Sequence, residues 1–114
     1  MLNAPKISAM LAFIAPGQGA QTPGMLAPWI TDPEAKLLLT QWSHEIDLDL
    51  VRLGTIADAD EIKDTANAQP LIVAAGLLGA RALGNAKLSV VAGHSVGEIT
   101  AAAVAGVINE VDAM

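Results

Sequence analysis

The sequence predicts an α/β fold built on a parallel sheet, on three observations. The predicted elements run strand, helices, strand, helix, the order in which a chain crosses back over a parallel sheet. The second strand passes straight into a helix through Gly93-His94-Ser95-Val96-Gly97. Apolar residues make up 53% of the 114 positions but aromatics only 3%, so the core has to be Leu, Ile, Val and Ala. That much apolar material excludes a disordered chain, and the length favours one domain or part of a larger one.

The first element is the apolar run from Ile7 to Ala15, closed by Pro16-Gly17; its length and brackets suit a buried strand. Lys6 before it gives the outline of a short signal peptide, but a single positive charge argues against that reading. Gly17-Gln18-Gly19-Ala20-Gln21 then forms a turn with unusual backbone angles. Asp32-Pro33-Glu34 starts a helix: a cap, a proline where no N–H is needed, and an acid at the positive helix end. Leu38, Leu39, Trp42 and Ile46 form its apolar stripe, and it ends near 45–47.

A short amphipathic segment over 48–53 follows, stopped by Gly54, and 58–64 is an acidic surface turn or short helix. Asn67 is expected to cap a buried helix over 68–83, with Pro70 in its first turn and Gly84-Asn85 ending it. Leu88 to Ala92 is the second strand. From Ser95, a helix places Val96, Ile99, Ala103, Val104, Val107 and Ile108 on one stripe. At 109–114 a further helix begins.

Charge and composition narrow the function classes. Six basic and twelve acidic residues give a net charge of −6, and the basic residues are scattered, so nucleic acid is not an expected partner. The absence of cysteine excludes disulfides and thiol chemistry and fits a cytoplasmic protein. No apolar run approaches the ~18 residues of a membrane span, so no membrane partner is expected. No metal site is expected either.

The chemistry is concentrated at Ser95. Gly-x-Ser-x-Gly arises by chance in roughly 4% of chains this long, taking ordinary residue frequencies; a strand before it and a helix after it make it a nucleophile elbow. The turn is tight enough that side chains at 93 and 97 would collide with strand and helix. Ser95 Oγ is thereby raised at a helix N-terminus, where free N–H groups and the helix dipole favour a developing oxyanion. The alternative is that Ser95 only caps the helix. Val96 supplies one oxyanion N–H, and the Gly17-Gln18-Gly19 loop is the best source of the second, although alone it reads as a plain glycine turn.

A serine nucleophile needs a base. Of the two histidines, His94 adjoins Ser95 and points to the other side of an extended segment, while His44 lies on an amphipathic surface. Neither is a convincing base.

Three stretches together resemble a family. Ala15-Pro16-Gly17-Gln18-Gly19-Ala20-Gln21, Asn67-Ala68-Gln69-Pro70 and Gly93-His94-Ser95-Val96-Gly97-Glu98, joined by Asp60 to Thr65, are similar to malonyl-CoA:acyl carrier protein transacylases and to the acyltransferase domains of polyketide and fatty acid synthases. The resemblance runs from about Leu11 to the last residue. It implies the N-terminal portion of an α/β-hydrolase-like parallel sheet with flanking helices, residues 1–114 forming an incomplete acyltransferase core without the family's ferredoxin-like subdomain.

It also implies roles. Ser95 matches the serine that carries the malonyl ester, the backbone amides of Gln18 and Val96 match the oxyanion hole, and Gln69 and His94 match residues lining the pocket. Gln69 reads equally well as a polar residue completing a helical turn, and Glu98 as a dipole-facing acid. The implied substrate is malonyl-CoA, with no cofactor, and the implied acceptor is acyl carrier protein in fatty acid biosynthesis.

The family's catalytic histidine and carboxylate-gripping arginine lie beyond the serine helix, so these residues alone are expected not to turn over. A segment this acidic attracts neither coenzyme A nor an acidic carrier protein over long range, which places the expected basic recognition surface elsewhere. Two other readings stand beside this one: a serine esterase or thioesterase, with water as acceptor, and a non-catalytic remnant.

Overall fold

A computed structural model describes residues 10–114. In chain order the elements are β1 (Ala12–Ala15), a 3-10 turn (Trp29–Thr31), α1 (Pro33–Ile46), α2 (Leu50–Thr55), α3 (Ala59–Lys63), α4 (Thr65–Ala82), β2 (Val90–Gly93), α5 (Gly97–Val104) and α6 (Glu110–Ala113). The two strands are parallel, in register from Ala12 opposite Val90 to Ala15 opposite Gly93. The predicted α/β class with a parallel sheet is therefore present, as a two-stranded sheet with six helices among the described residues.

The caps carry much of the local specification. Asp32 accepts from the Glu34 N–H at 3.1 Å with Pro33 in the first turn, and Asp47 closes α1 with φ 52°. Such a cap is worth about 1 kcal/mol. Most buried side chains lie between helices, not over the sheet: Leu39 and Trp42 of α1, Leu50 and Leu53 of α2, Ile62 of α3, and Leu71 and Leu77 of α4, with Leu26 from the loop after β1. Full burial of each aliphatic side chain contributes roughly 1.5–3 kcal/mol.

Five sequence expectations are corrected. First, the strand predicted over 7–15 is observed over 12–15, with 7–9 outside the described residues. It is not a buried strand. Alternation turns Phe13 and Ala15 inward, whereas Ile14 on the opposite face is 66% exposed. A parallel sheet buries both faces only when helices cover both, and α5 packs on β1 and β2 from the inward side.

Second, the strand predicted over 88–92 is shifted to 90–93. Third, Gly54 does not stop α2 but lies inside it, because the Leu26 side chain packs where a Gly54 β-carbon would stand. The Leu26 N–H donates to the Gly54 carbonyl at 2.9 Å.

Fourth, α4 is capped by Asp64, which accepts from the Ala66 N–H at 2.9 Å, and starts three residues earlier than 68. Asn67 lies within the first turn and donates to the Glu61 carbonyl at 2.9 Å, tying α3 to α4. Pro70 consequently sits inside the helix, where it has no N–H to offer the Ala66 carbonyl.

Fifth, α5 ends at Val104. Gly106, at φ 80°, donates to the Ala103 carbonyl and Val107 to that of Ala102, a double C-terminal closure. Val107 is thereby turned out to 77% exposure instead of continuing the helical stripe.

Candidate active site

The site is assembled where β1 and β2 end side by side. The His94 N–H donates to the Ala15 carbonyl at 3.1 Å, continuing the parallel pairing one residue past β2. The chain then reverses: Gly97 N–H donates to the His94 carbonyl at 2.9 Å and Glu98 N–H to the Ser95 carbonyl at 3.0 Å. Within this turn Ser95 adopts φ 55°, a left-handed backbone that side-chain-bearing residues rarely take. Such strain costs of order 1–3 kcal/mol and persists only where the surroundings over-determine it.

Three glycines do so. β-carbons at Gly93 and Gly97 would overlap the backbone of Gly97 and of Ala15 respectively. One at Gly17 would stand 2.5 Å from the His94 carbonyl oxygen, 2.8 Å from His94 Nδ1 and 3.0 Å from Ser95 Cβ. Ser95 is exposed at the mouth of this turn, while Val96 beneath it is buried. Farther along α5, Thr100 is fully buried and its methyl abuts Gly76 of α4, seating the serine helix on the neighbouring helix.

The two loops present free amides. The Gly19 N–H is taken by Gln21 Oε1 at 2.7 Å, and Ala20 N–H donates to the Gly17 carbonyl at 3.2 Å. Among the described residues, the N–H groups of Gln18 and Val96 donate to no protein acceptor. The Gln18 side chain instead reaches α4, where Nε2 donates to Thr65 Oγ1 at 2.9 Å.

One turn along α4, Gln69 borders a pocket of about 160 Å³ that is also lined by Thr65, Val73, Val96 and Ile99. The fold thus places Ser95 and His94 beside Gly17 and ties Gln18 to α4, while Gln69 shares its pocket with Val96 but not with Ser95, Gln18 or His94. Neither histidine hydrogen-bonds to Ser95: His94 lies beside Gly17, and His44 is on the exposed last turn of α1. Thr65 and Gln21 complete the loop's support. Sequence reasoning gave neither a role: the bond to Thr65 spans 47 positions and leaves no local signal, whereas that of Gln21 to Gly19 is local.

A malonyl CoA-acyl carrier protein transacylase from Mycobacterium tuberculosis (strain ATCC 25618 / H37Rv) is 56% identical over 110 residues, covering 92% of this chain and 36% of the relative. The relatives are malonyl CoA-acyl carrier protein transacylases.

The Escherichia coli K12 transacylase is 36% identical over 107 residues, covering 90% of this chain and 35% of its own length. The crystal structure of MCAT from Mycobacterium tuberculosis superposes with a TM-score of 0.86 over 92% of this chain and 36% of that one. A malonyl-transacylase solved in complex with the type II PKS acyl-carrier protein AntF superposes at 0.85, with 34% identity over 92% of this chain and 35% of that one. The chain spans about a third of the length of these relatives, corresponding to their N-terminal part. No protein-family model matches it.

Among the described residues, no helix is long and apolar enough to cross a membrane, and no three His, Asp or Glu side chains are grouped to hold a metal ion.

Proposed function

We propose that Ser95 is the acyl-carrying nucleophile of a malonyl-CoA:acyl carrier protein S-malonyltransferase. The observation that carries this reading is the left-handed Ser95 backbone, φ 55°, packed beside Gly17, with the Gln18 and Val96 amides donating to no acceptor among the described residues. Residues 1–114 are, on this reading, an incomplete α/β-hydrolase-like acyltransferase core, with the ferredoxin-like subdomain outside them. Ser95 Oγ attacks the thioester carbonyl of malonyl-CoA, the carbon–sulfur bond breaks and coenzyme A leaves as its thiol. The phosphopantetheine thiol of acyl carrier protein then attacks the seryl ester, and Ser95 Oγ is released.

The Gln18 and Val96 amides stabilise both tetrahedral oxyanions, a role worth about 10²–10³ in rate per donor. Gln69 and His94 line the acyl site. The reaction needs no cofactor beyond its two substrates and belongs to cytoplasmic fatty acid biosynthesis. The general base comes from outside these residues, which supply the nucleophile and the oxyanion donors.

The test is a hybrid enzyme in which this chain replaces the matching N-terminal third of the Mycobacterium tuberculosis relative. Intact-mass spectrometry after mixing with malonyl-CoA should show a malonyl adduct, passed on to acyl carrier protein and lost in Ser95→Ala. Adduct formation that survives Ser95→Ala sinks the proposal. Release of free malonate in place of malonyl-carrier protein would mark an esterase.

A further inference from the structure

We infer that Thr65 is a positioning residue for the oxyanion loop, holding the Gln18 amide in place through the Gln18 side chain. This deepens the reading of Ser95 as an acyl-transfer nucleophile and rests on it. The loop over residues 17–21 carries no helix or strand, and one backbone hydrogen bond closes it, from the Ala20 N–H to the Gly17 carbonyl at 3.2 Å. Two side-chain hydrogen bonds add to it. Gln21 Oε1 accepts from the Gly19 N–H at 2.7 Å, which removes that amide from the pool of free donors. Gln18 Nε2 donates to Thr65 Oγ1 at 2.9 Å, which anchors the residue whose own N–H remains free.

Thr65 is well placed for this. It is the first residue of α4, directly after the Asp64 cap, and α4 is the most buried helix in the fold. The same helix carries Gln69 and packs on α5, which begins two residues after Ser95. The Gln18–Thr65 bond therefore ties the loop to the body that also sets the serine. An oxyanion donor acts only if it is fixed before charge develops, and a displacement of about 1 Å is enough to cost on the order of 100-fold. The hydrogen bond is exposed to water, so its loss should loosen the loop and leave the fold intact.

Two measurements test this. In the intact chain, the NMR backbone order parameter of Gln18 is expected to fall from about 0.85 toward the flexible range below about 0.6 in Thr65→Val and to return in Thr65→Ser. In the hybrid enzyme, Thr65→Val should lower kcat about 10-fold with KM for malonyl-CoA little changed, less than the 10²–10³ of losing an oxyanion donor outright because the Gln18 amide is loosened and not removed. Gln18→Met, which removes Nε2, should lower it similarly, and the double variant no further than either.

An unchanged order parameter in Thr65→Val overturns the inference. So does an unchanged kcat, a Thr65→Ser variant that fails to recover, or effects that multiply in the double variant. Activity surviving in Ser95→Ala would instead refute the underlying assignment of the nucleophile, so the two failures are distinguishable.

Discussion

Gly17 and Ser95, 78 positions apart in the chain, are packed so closely that a β-carbon on Gly17 would lie 3.0 Å from Ser95 Cβ and 2.5 Å from the His94 carbonyl oxygen. The atom it would meet first is a backbone oxygen, which cannot swing away. Gly17→Ala should therefore push apart the ends of the two strands and cost about 1–3 kcal/mol. Urea unfolding of the two proteins would measure it, and a loss below about 0.5 kcal/mol would show that the loop shifts freely.

Pro70 gives a prediction of opposite sign. It interrupts α4 six residues in, leaving the Ala66 carbonyl without its helical donor. Pro70→Ala restores that N–H, and the gain outweighs the greater freedom of the unfolded chain, which costs at most about 1 kcal/mol. The variant should be more stable by about 1–2 kcal/mol, read as a higher denaturation midpoint at an unchanged slope. Destabilisation would mean that packing of the proline ring in the pocket beside Gln69 and Val96 matters more.

Thr100 is the one buried polar side chain among the described residues whose side-chain oxygen has no hydrogen-bond partner. Burying a hydroxyl unpaired costs about 1–3 kcal/mol, and an apolar replacement of the same shape removes that cost. Thr100→Val should leave stability unchanged or raise it by about 1 kcal/mol. Calorimetry that found a marked loss would reveal an acceptor or ordered water at the hydroxyl.

Acid should weaken the pair joining α2 to α3. The Glu61 carboxylate is held below its ordinary titration range by hydrogen bonds from the Arg52 guanidinium, opposed by partial burial and assisted by the arginine charge. A depressed folded-state value means that the pair's contribution is fully present above the unfolded glutamate pKa. It is lost as pH falls through the lower folded value. Both side chains are more than a third exposed, so the effect is screened by salt. Arg52→Met should flatten the acid limb of the stability–pH profile at low ionic strength, and an unaltered limb would show that the pair contributes nothing.

What the sequence determined by itself was everything written in adjacent residues. The cap at Asp32-Pro33, the apolar faces of α1 and α4, and the strand–turn–helix around Ser95 follow from local spacing and turn chemistry, and they identified the elements and the candidate serine. Asp64 and Asn67, three residues apart, offer the same capping chemistry, and Asp64 is the cap because it accepts from the Ala66 N–H while Asn67 donates to the Glu61 carbonyl.

Tertiary structure decided the rest. Gly54 reads locally as a stop, but it lies inside α2 with Leu26 occupying the space beside it, and the stripe after Ser95 reads as a longer helix than Gly106 allows. The support of the loop by Thr65 and the convergence of Gly17 on Ser95 depend on two strands aligning in parallel across most of the chain. The physical reason is that close approach and hydrogen bonding are properties of distance in space, and no periodicity in the sequence encodes a meeting of residues so far apart.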